Sequence, residues 1–224
     1  MSNTKFAAVV LNGPAKSGKD TILNRIAMQQ AQKGNVMVIG MEFKEALIDF
    51  AVRTAGISRK LWDALYEREY KELPTPYLQI NGENVSPRQW LIHISESVVK
   101  PMLGEDFFGK VVAGKIKNQM EAVSDLGYEY VFFVFSDGGF PSEALPIIEL
   151  LGRENYFVSR LHRYDENGDE YTFDGDSRMY LMPEFFQEAV RPFIFDVINR
   201  EGGQGTCAAT VMSIVKEQLE EGNK

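Results

Sequence analysis

The residues near the amino terminus constrain the fold more than any other part of the chain. Phe6 to Leu11 (FAAVVL) is a short, continuously apolar run, which predicts a buried strand. Gly13 to Thr21 (GPAKSGKDT) follows it closely and fits the pattern G-x-x-x-x-G-K. Residues 18–33 then predict a helix that ends at Gly34. A glycine loop between a buried strand and a helix N-terminus is typical of a phosphate-binding loop.

We expect this loop to bind the phosphates of a nucleotide. Its backbone N–H groups can converge on an anion, and Lys19 adds a positive charge at the outer phosphates. Gly13 and Gly18 allow the backbone to turn tightly and to approach the ligand closely. The predicted nucleotide-binding residues of the segment are Gly13, Ala15, Lys16, Ser17, Gly18, Lys19, Asp20 and Thr21.

Asp20 departs from the ordinary pattern, in which a Ser or Thr hydroxyl at this position ligates Mg²⁺. A carboxylate here adds negative charge beside the phosphates. Two roles are open to it: contact with the water shell of the metal, or stabilisation of the positive end of the helix. Thr21 is then the nearest hydroxyl to an inner phosphate.

Composition excludes several classes of protein. The 224 residues are enough for one well-buried domain with a small inserted lid. The net charge of −8 argues against a dedicated nucleic-acid binder, because such proteins carry a basic face. The single cysteine, Cys207, rules out an internal disulfide and suits a reducing cytosol. No segment resembles a signal peptide or a membrane span, so we expect a cytosolic protein.

Apolar segments alternate with helical patterns along the chain. Strands are predicted at Phe6–Leu11, Val36–Met41, Tyr130–Phe135, Tyr156–Leu161 and Phe193–Ile198. This alternation predicts an α/β fold, a three-layer sandwich in which a five-stranded parallel sheet has helices on both faces. We expect residues 69–85 to be irregular and residues 164–182 to form a mobile flap.

Helix signals fill most of the intervening chain. Ser86-Pro87-Arg88-Gln89 is a strong helix start, with Ser as the cap and Pro at the first position, and the helix runs to about Leu103. Further helices are predicted at Phe43–Ala55, Arg59–Arg68, Asp106–Asp125, Pro141–Leu151, Pro183–Val190 and Thr206–Leu219.

Ligands of parallel sheets bind beyond the carboxyl ends of the strands, so one rim is expected to carry the chemistry. Asp137 follows the central strand and is a candidate metal-associated carboxylate; the alternative is a turn residue before two glycines. Arg160 and Arg163 are candidates for a flap arginine on the transferred phosphate, and the alternative is a solvated charge at a strand end.

A second group of cations is a candidate for binding the other substrate. Arg88 is suited to clamping a phosphate or carboxylate, and Lys44 follows the second strand. Arg68 and Lys71 lie in the irregular stretch and are weaker candidates. The two histidines, His93 and His162, are too few and too scattered for a metal site or a nucleophile pair, so we expect structural roles for them.

Several segments match one known family, in the same order along the chain. They are Ser17-Gly18-Lys19-Asp20-Thr21; Phe43-Lys44-Glu45-Ala46-Leu47; Ser86-Pro87-Arg88 with Leu91; Asp137 with Phe140-Pro141-Ser142-Glu143-Ala144; Arg160 to Arg163; Asp176-Ser177; and Val197-Ile198-Asn199 before Gly202. On these segments the chain resembles the phage deoxynucleoside monophosphate kinases, a branch of the nucleoside monophosphate kinase group of phosphate-loop proteins. The Lys19-Asp20-Thr21 ending is the most specific part of the resemblance.

Two positions depart from the family pattern. Gly139 stands where the family usually has Arg, so a cation that contacts substrate or phosphate is missing there. Arg178 replaces the histidine of the lid, and we hypothesise that it restores part of that charge. These departures bear on the identity of the substrate more than on the type of reaction.

The resemblance implies a single P-loop kinase domain over residues 1–224, with an acceptor-binding helical region at about 57–104 and a lid at about 162–183. It implies transfer of the γ-phosphate from ATP, with Mg²⁺, to a (deoxy)nucleoside monophosphate. The implied catalytic residues are Lys19, Asp137, Arg160 and Arg163, and Asn199 is implied to adjoin the adenine. The implied acceptor-binding residues are Lys44, Arg88, Arg68 and Arg178. Mg²⁺ is implied to bind Asp20 and Asp137 through water or phosphate.

Other interpretations stay open at this point. A related small-molecule kinase of the dephospho-coenzyme A or phosphomevalonate type uses a similar loop. A nucleotide-binding protein without transfer activity is a third interpretation, because of Gly139. The expected partners are small nucleotides rather than nucleic acid or membrane, and a homodimer is compatible with the sequence. A protein of phage origin would act in the host cytosol.

Overall fold

The apolar segments form one parallel sheet in the computed structural model, which describes residues 4–174 and 178–221. In chain order the strands of the described residues are β1 (Lys5–Asn12), β2 (Val36–Met41), β3 (Thr75–Ile80), β4 (Glu83–Val85), β5 (Tyr130–Phe135), β6 (Tyr156–His162) and β7 (Phe193–Ile198). The five-stranded sheet has the order β2-β5-β1-β6-β7, and all its neighbouring pairs are parallel. The predicted fold class is confirmed.

Helices cover both faces of this sheet. They are α1 (Lys19–Ala31), α2 (Phe43–Ala55), α3 (Arg59–Leu65), α4 (Pro87–His93), α5 (Lys100–Leu103), α6 (Phe107–Val123), α7 (Pro141–Leu151) and α8 (Gln204–Glu221). Every residue of β5 is buried, which requires cover on both sides because successive side chains of a strand point to opposite faces.

Alternate residues of β1 belong to two separate cores. Val9 and Leu11 pack in one apolar cluster with residues of α1 and α8. Val10 packs in the other with residues of α6 and α7. The glycine loop that follows β1 therefore leaves from the centre of the molecule, with a packed layer on each side.

A third apolar cluster stands beside the sheet and contains parts of α2, α3, α4 and β3. Trp62 and Leu78 are fully buried in it, and the indole N–H of Trp90 donates to the carbonyl of Ala51 at 3.1 Å. This cluster is therefore a separate apolar core for the region between residues 57 and 104, next to the rim of the sheet.

The prediction of an irregular segment at residues 69–85 is wrong in its second half. β3 and β4 form an antiparallel hairpin there. Its two-residue turn is Asn81-Gly82, and both residues have positive φ, 52° and 83°. Asn-Gly is a preferred pair for such a turn, so the glycine marked a hairpin rather than a loop.

The helix that begins after Ser86 runs to Leu103 but is not regular. Between α4 and α5 lies a widened, π-helical stretch, Ile94–Val99, in which the N–H of Lys100 donates to the carbonyl of Ser95, five residues earlier. Pro101 lacks an N–H group and clashes with the carbonyl four residues before it, which favours such a widened turn. Ser95 and Lys100 both line the cavity described below.

Two of the predicted helices differ from the elements in the structure. The predicted helix at Pro183–Val190 is replaced by two single 3₁₀ turns, Pro183–Phe185 and Glu188–Val190, because Phe186 between them is extended and buried in the core. α3 ends at Leu65 instead of Arg68.

Among residues 4–174 and 178–221, no helix combines the length and apolarity needed to cross a membrane.

Candidate functional site

The glycine loop lies between β1 and α1, at the carboxyl rim of the sheet. Gly18 is the N-cap of α1 and has φ of 88°, a conformation that L side chains rarely adopt. In the described chain no side chain hydrogen-bonds to cap this helix. Its first N–H groups therefore face the loop with the positive end of the helix dipole, an arrangement that favours an anion.

Lys19 folds back over its own loop. Its ammonium donates to the carbonyls of Gly13 and Pro14, both at 2.7 Å, and lies 3.4 Å from the hydroxyl of Ser17. The positive charge is thus held beside the loop backbone, where a bound phosphate would be. The strand, the glycine loop and the helix have the arrangement of a phosphate-binding P-loop in an α/β fold.

Asn199 supports the loop from the protein side. Its side-chain N–H donates to the carbonyl of Ser17 at 2.8 Å, and its backbone N–H donates to the carbonyl of His162, also at 2.8 Å. The side chain is buried, and a Cβ on Gly18 would lie 2.6 Å from its nitrogen. Asn199 therefore holds the loop backbone, while its contact with adenine stays a prediction.

Arg160 and Arg163, the two candidates for an arginine on the transferred phosphate, have different surroundings. Arg163 donates to the carbonyl of Lys16 in the loop at 3.4 Å and pairs with Glu201. Arg160 donates instead to the carboxylate of Asp196 on β7 at 2.6 Å. The guanidinium of Arg163 therefore lies at the phosphate loop, whereas that of Arg160 is bound to the neighbouring strand.

A cavity of about 540 Å³ lies at the same rim, in contact with residues that follow β2 and β5. Its charged lining consists of Lys44, Lys71, Arg88, Lys100, Arg178, Glu96, Asp137 and Glu143, and its apolar lining includes Phe43, Leu47, Leu91 and Phe140. This volume is within the range of small-ligand sites. Arg68 is exposed in the turn after α3 and is absent from this lining, in which Lys71 takes part instead.

Asp137 is buried at the end of β5 and caps α2. Its two carboxylate oxygens accept the backbone N–H groups of Phe43 and Lys44, at 2.8 and 2.9 Å. Burial raises the pKa of Asp137, and these amide bonds oppose that shift. The carboxylate thus positions the start of α2, and any contact with a metal would share oxygens that already accept hydrogen bonds.

Lys44 connects the cavity electrostatically with the loop. Burial disfavours its charge, but the carboxylates of Glu42, Asp137 and Asp20 outweigh that effect, so the pKa of Lys44 is raised. The nearest of them, Glu42, lies 3.3 Å from the ammonium. Asp20 belongs to the first turn of α1, so the negative charge beside the loop acts on a cation of the cavity.

Arg88 and Arg178 reach the cavity from opposite elements. Arg88 follows the cap Ser86, whose capping box with Gln89 fixes the start of α4, and its guanidinium contacts Glu72 at 3.2 Å. Arg178 belongs to the flap, defined here as residues 163–174 and 178–182, and it packs on Gly139. Asp176 and Ser177, which the resemblance places in the lid, lie outside the described residues.

Sequence reasoning missed Glu143 as a site residue. It lines the cavity from the first turn of α7, and burial, followed by the charge of Asp137, raises its pKa to about 8. A glutamate in the first turn of a helix that follows a central strand faces the carboxyl rim, and that position was the available signal. Glu143 gives the cavity a carboxyl group that keeps its proton to a higher pH than an ordinary glutamate does.

The described residues contain no group of three or more His, Cys, Asp or Glu side chains that could hold a metal ion. Mg²⁺ commonly keeps several waters and binds through one or two carboxylates together with substrate phosphates. Asp20, exposed in the first turn of α1, fits that kind of site.

Comparisons with known proteins add little to this description. No family model matches the chain, and no curated protein matches it. Among solved structures, it is similar to a plasmid partition protein from Borrelia burgdorferi, with 15% sequence identity and a TM-score of 0.37. The match covers 95% of this chain and 86% of that one. At this level of similarity the function has to be argued from the site itself.

Proposed function

We propose that this protein is a nucleotide kinase, which transfers the γ-phosphate of ATP to a (deoxy)nucleoside monophosphate. The observation that carries the proposal is the pairing of two anion sites on one rim: the loop that ends in Lys19, and the cavity lined by Lys44, Arg88 and Arg178. A hydrolase needs only the first of these sites, whereas a transferase also needs a place for its acceptor.

The donor phosphates bind at the loop in this proposal. The N–H groups at the start of α1 and the ammonium of Lys19 hold the outer phosphates of ATP. Phosphoryl transfer depends mainly on positioning and on positive charge around the transferred group. Arg163 is the flap arginine that we assign to that group, because its guanidinium already contacts the loop at Lys16.

The acceptor occupies the cavity. Its phosphate binds the cations Lys44, Arg88 and Arg178, and its base and sugar lie against the apolar part of the lining. Asp137 contributes through position, because its bonds to the start of α2 fix the backbone of Lys44. The neutral form of Glu143 allows an anionic acceptor to enter without meeting a further negative charge.

Mg²⁺ fits this site as a partner of the donor phosphates. Asp20 would hold it through water, next to the residue that binds the outer phosphates. When bound, the metal supplies positive charge that offsets the charge of the phosphates. The protein's own contribution is then the placement of Lys19 and Arg163 around the same group.

One assay separates this proposal from its alternatives. ADP release from ATP with Mg²⁺ is measured over all nucleoside and deoxynucleoside monophosphates, dephospho-coenzyme A and phosphomevalonate, with Lys19→Ala as the control. Stimulation by a nucleoside monophosphate supports the proposal, and stimulation only by one of the other two acceptors assigns a related kinase. ATP binding without stimulation by any acceptor would overturn kinase activity and identify a nucleotide-binding protein.

A further inference from the structure

A cluster of charged side chains outside the two anion sites surrounds His162, at the end of β6. One ring nitrogen, Nδ1, lies 2.5 Å from the carboxylate of Glu170 in the flap. The other, Nε2, lies 2.6 Å from the carboxylate of Asp196 on β7. The histidine side chain is 22% exposed, whereas the side chains of Glu170 and Asp196 are 35% and 49% exposed.

The two contacts together require a proton on each nitrogen of the ring. An ionised carboxylate only accepts hydrogen bonds, so each ring nitrogen has to donate, and a ring that donates from both nitrogens is an imidazolium. Although burial opposes the charge, the bonds to Asp196 and Glu170 outweigh it and raise the pKa of His162 above 6.5. On the other side of the contact, Arg160 and His162 lower the pKa of Asp196 against the effect of burial.

The groups that face this ring come from three elements. Arg160 on β6 bonds to Asp196, which itself belongs to β7. From the flap, the ring of Tyr180 lies 4.8 Å from that of His162, and its hydroxyl donates to the carbonyl of Leu161 at 2.9 Å. Glu170 of the flap contacts the ring directly, and Tyr164 acts electrostatically on Tyr180.

Arg163 follows His162 directly in the chain. The backbone carbonyl of Arg163 accepts the N–H of Tyr171, which joins the two ends of the segment 163–171 in the flap. The guanidinium of Arg163 donates to the carbonyl of Lys16 in the phosphate loop. The carbonyl of His162 accepts the N–H of Asn199, the residue that supports that loop. The backbone of His162 is therefore joined both to Arg163 and to Asn199, the two residues whose side chains contact the loop.

We propose that His162 is a positioning residue, which fastens the flap to β7 through Glu170 and Asp196 and so holds Arg163 over the phosphate loop only while the ring is protonated. The part that concerns Arg163 rests on the proposed kinase function. The fastening of the flap stands on the contacts alone. The contact is present below pH 6.5 and is lost as the pH rises through the raised pKa of the ring.

The test is hydrogen exchange of residues 163–174 in the nucleotide-free, full-length protein between about pH 6 and about pH 9, corrected for the intrinsic pH dependence of exchange. We compare the wild type with His162→Gln and with His93→Gln, which removes the other histidine of the chain. Loss of one charge-assisted hydrogen bond predicts that wild-type protection falls roughly tenfold over this range. His162→Gln is expected to show low, pH-independent protection, and His93→Gln to follow the wild type.

A flat wild-type profile, or the same pH-dependent fall in His162→Gln, would overturn the proposal. If His162→Gln does not fold, Glu170→Gln removes only the flap side of the contact and is expected to lose most of the pH dependence. Retention of the full dependence in Glu170→Gln would contradict the role of the flap contact.

A second measurement connects the fastening to transfer. If the kinase assay identifies an acceptor, kcat of the wild type is expected to fall on the alkaline side while the KM for ATP stays constant, and kcat of His162→Gln to be low throughout. Equal alkaline falls in both proteins would contradict the effect on Arg163. Because the exchange experiment needs no turnover, failure to find an acceptor overturns the proposed function without deciding the fastening of the flap.

Discussion

Arg178 packs directly on the backbone of Gly139. A Cβ placed on Gly139 would lie 2.9 Å from the Cβ of Arg178 and 3.1 Å from the carbonyl oxygen of Met179, and φ at Gly139 is 143°. The position at which the family resemblance expects an arginine is therefore closed to any side chain. The stem of Arg178 fills that space, and its side chain lines the cavity from the flap.

Substitution of Gly139 is expected to disturb both the backbone and Arg178. Gly139→Ala places a Cβ in a conformation that L residues rarely adopt, and we expect a loss of about 1–3 kcal/mol in the free energy of unfolding. The measurement is urea denaturation. Gly114→Ala is the matched control, because that glycine lies in α6 with open space around it, and the change there is expected to stabilise by roughly 0.5–1 kcal/mol. Equal effects at the two positions would contradict this account.

Arg160 on β6 and Arg163 in the flap are expected to differ in function. Arg163→Ala removes the guanidinium at the phosphate loop, and we expect kcat to fall on the order of 10³-fold with little change in stability. Arg160→Ala breaks the pair with Asp196, whose side chain is 49% exposed, and is expected to cost about 1 kcal/mol of stability with a much smaller fall in kcat. Steady-state kinetics and urea denaturation of both variants distinguish the roles. A larger fall in kcat for Arg160→Ala would reverse the assignment.

Arg88 is expected to act on the acceptor rather than on ATP. Arg88→Ala removes a charged hydrogen-bond donor from the cavity, so the KM for the acceptor is expected to rise roughly tenfold to a hundredfold while the KM for ATP stays constant. Arg68→Ala serves as the control, since Arg68 is exposed outside the cavity lining and should leave both constants unchanged. An effect confined to the KM for ATP would show that Arg88 acts on ATP, and the assignment to the acceptor would be wrong.

Glu143 predicts a specific pH dependence of stability. Its pKa is about 8 in the folded protein against an ordinary value of 4.5, so between these values the folded protein keeps a proton that the unfolded chain has released. The free energy of unfolding therefore falls as the pH rises from about 4.5 to about 8. Glu143→Gln removes this effect, and its stability relative to the wild type is expected to increase across that range. Urea denaturation at several pH values measures the difference; a constant difference would show that Glu143 ionises normally.

Much of the fold follows from local patterns. The strands β2, β5 and β7 and the helices α2 and α7 begin and end at the residues expected from the sequence. Their signals are strong because apolar runs, caps and glycine stops act over a few residues. The hairpin at β3 and β4 was missed because Pro76 and Gly82 also occur in irregular chain, and only the Asn81-Gly82 turn distinguishes the two.

The candidate site also has one part that is recognisable in the sequence and one part that is not. The phosphate-binding loop is recognisable because its residues are contiguous, and the spacing of Gly13, Gly18 and Lys19 is itself the signal. The cavity is not recognisable in that way, because Lys44, Arg88, Glu143 and Arg178 come from four distant segments. Local patterns suggested Lys44 and Arg88, and the resemblance added Arg178. None of the sequence signals ranked Lys71 over Arg68.

By itself, then, the sequence determined the strand–loop–helix unit and the alternation of strands and helices, since periodicity and capping are properties of neighbouring residues. Only the tertiary structure decided which residues meet. By placing β5 between β2 and β1, it brings Asp137 to the first turn of α2, 93 residues away from Lys44 in the chain. It also binds His162 between β7 and the flap and separates Arg163 from Arg160. Such pairings depend on the order of strands in the sheet, which is set by packing over long distances in the chain and leaves no mark in any short segment.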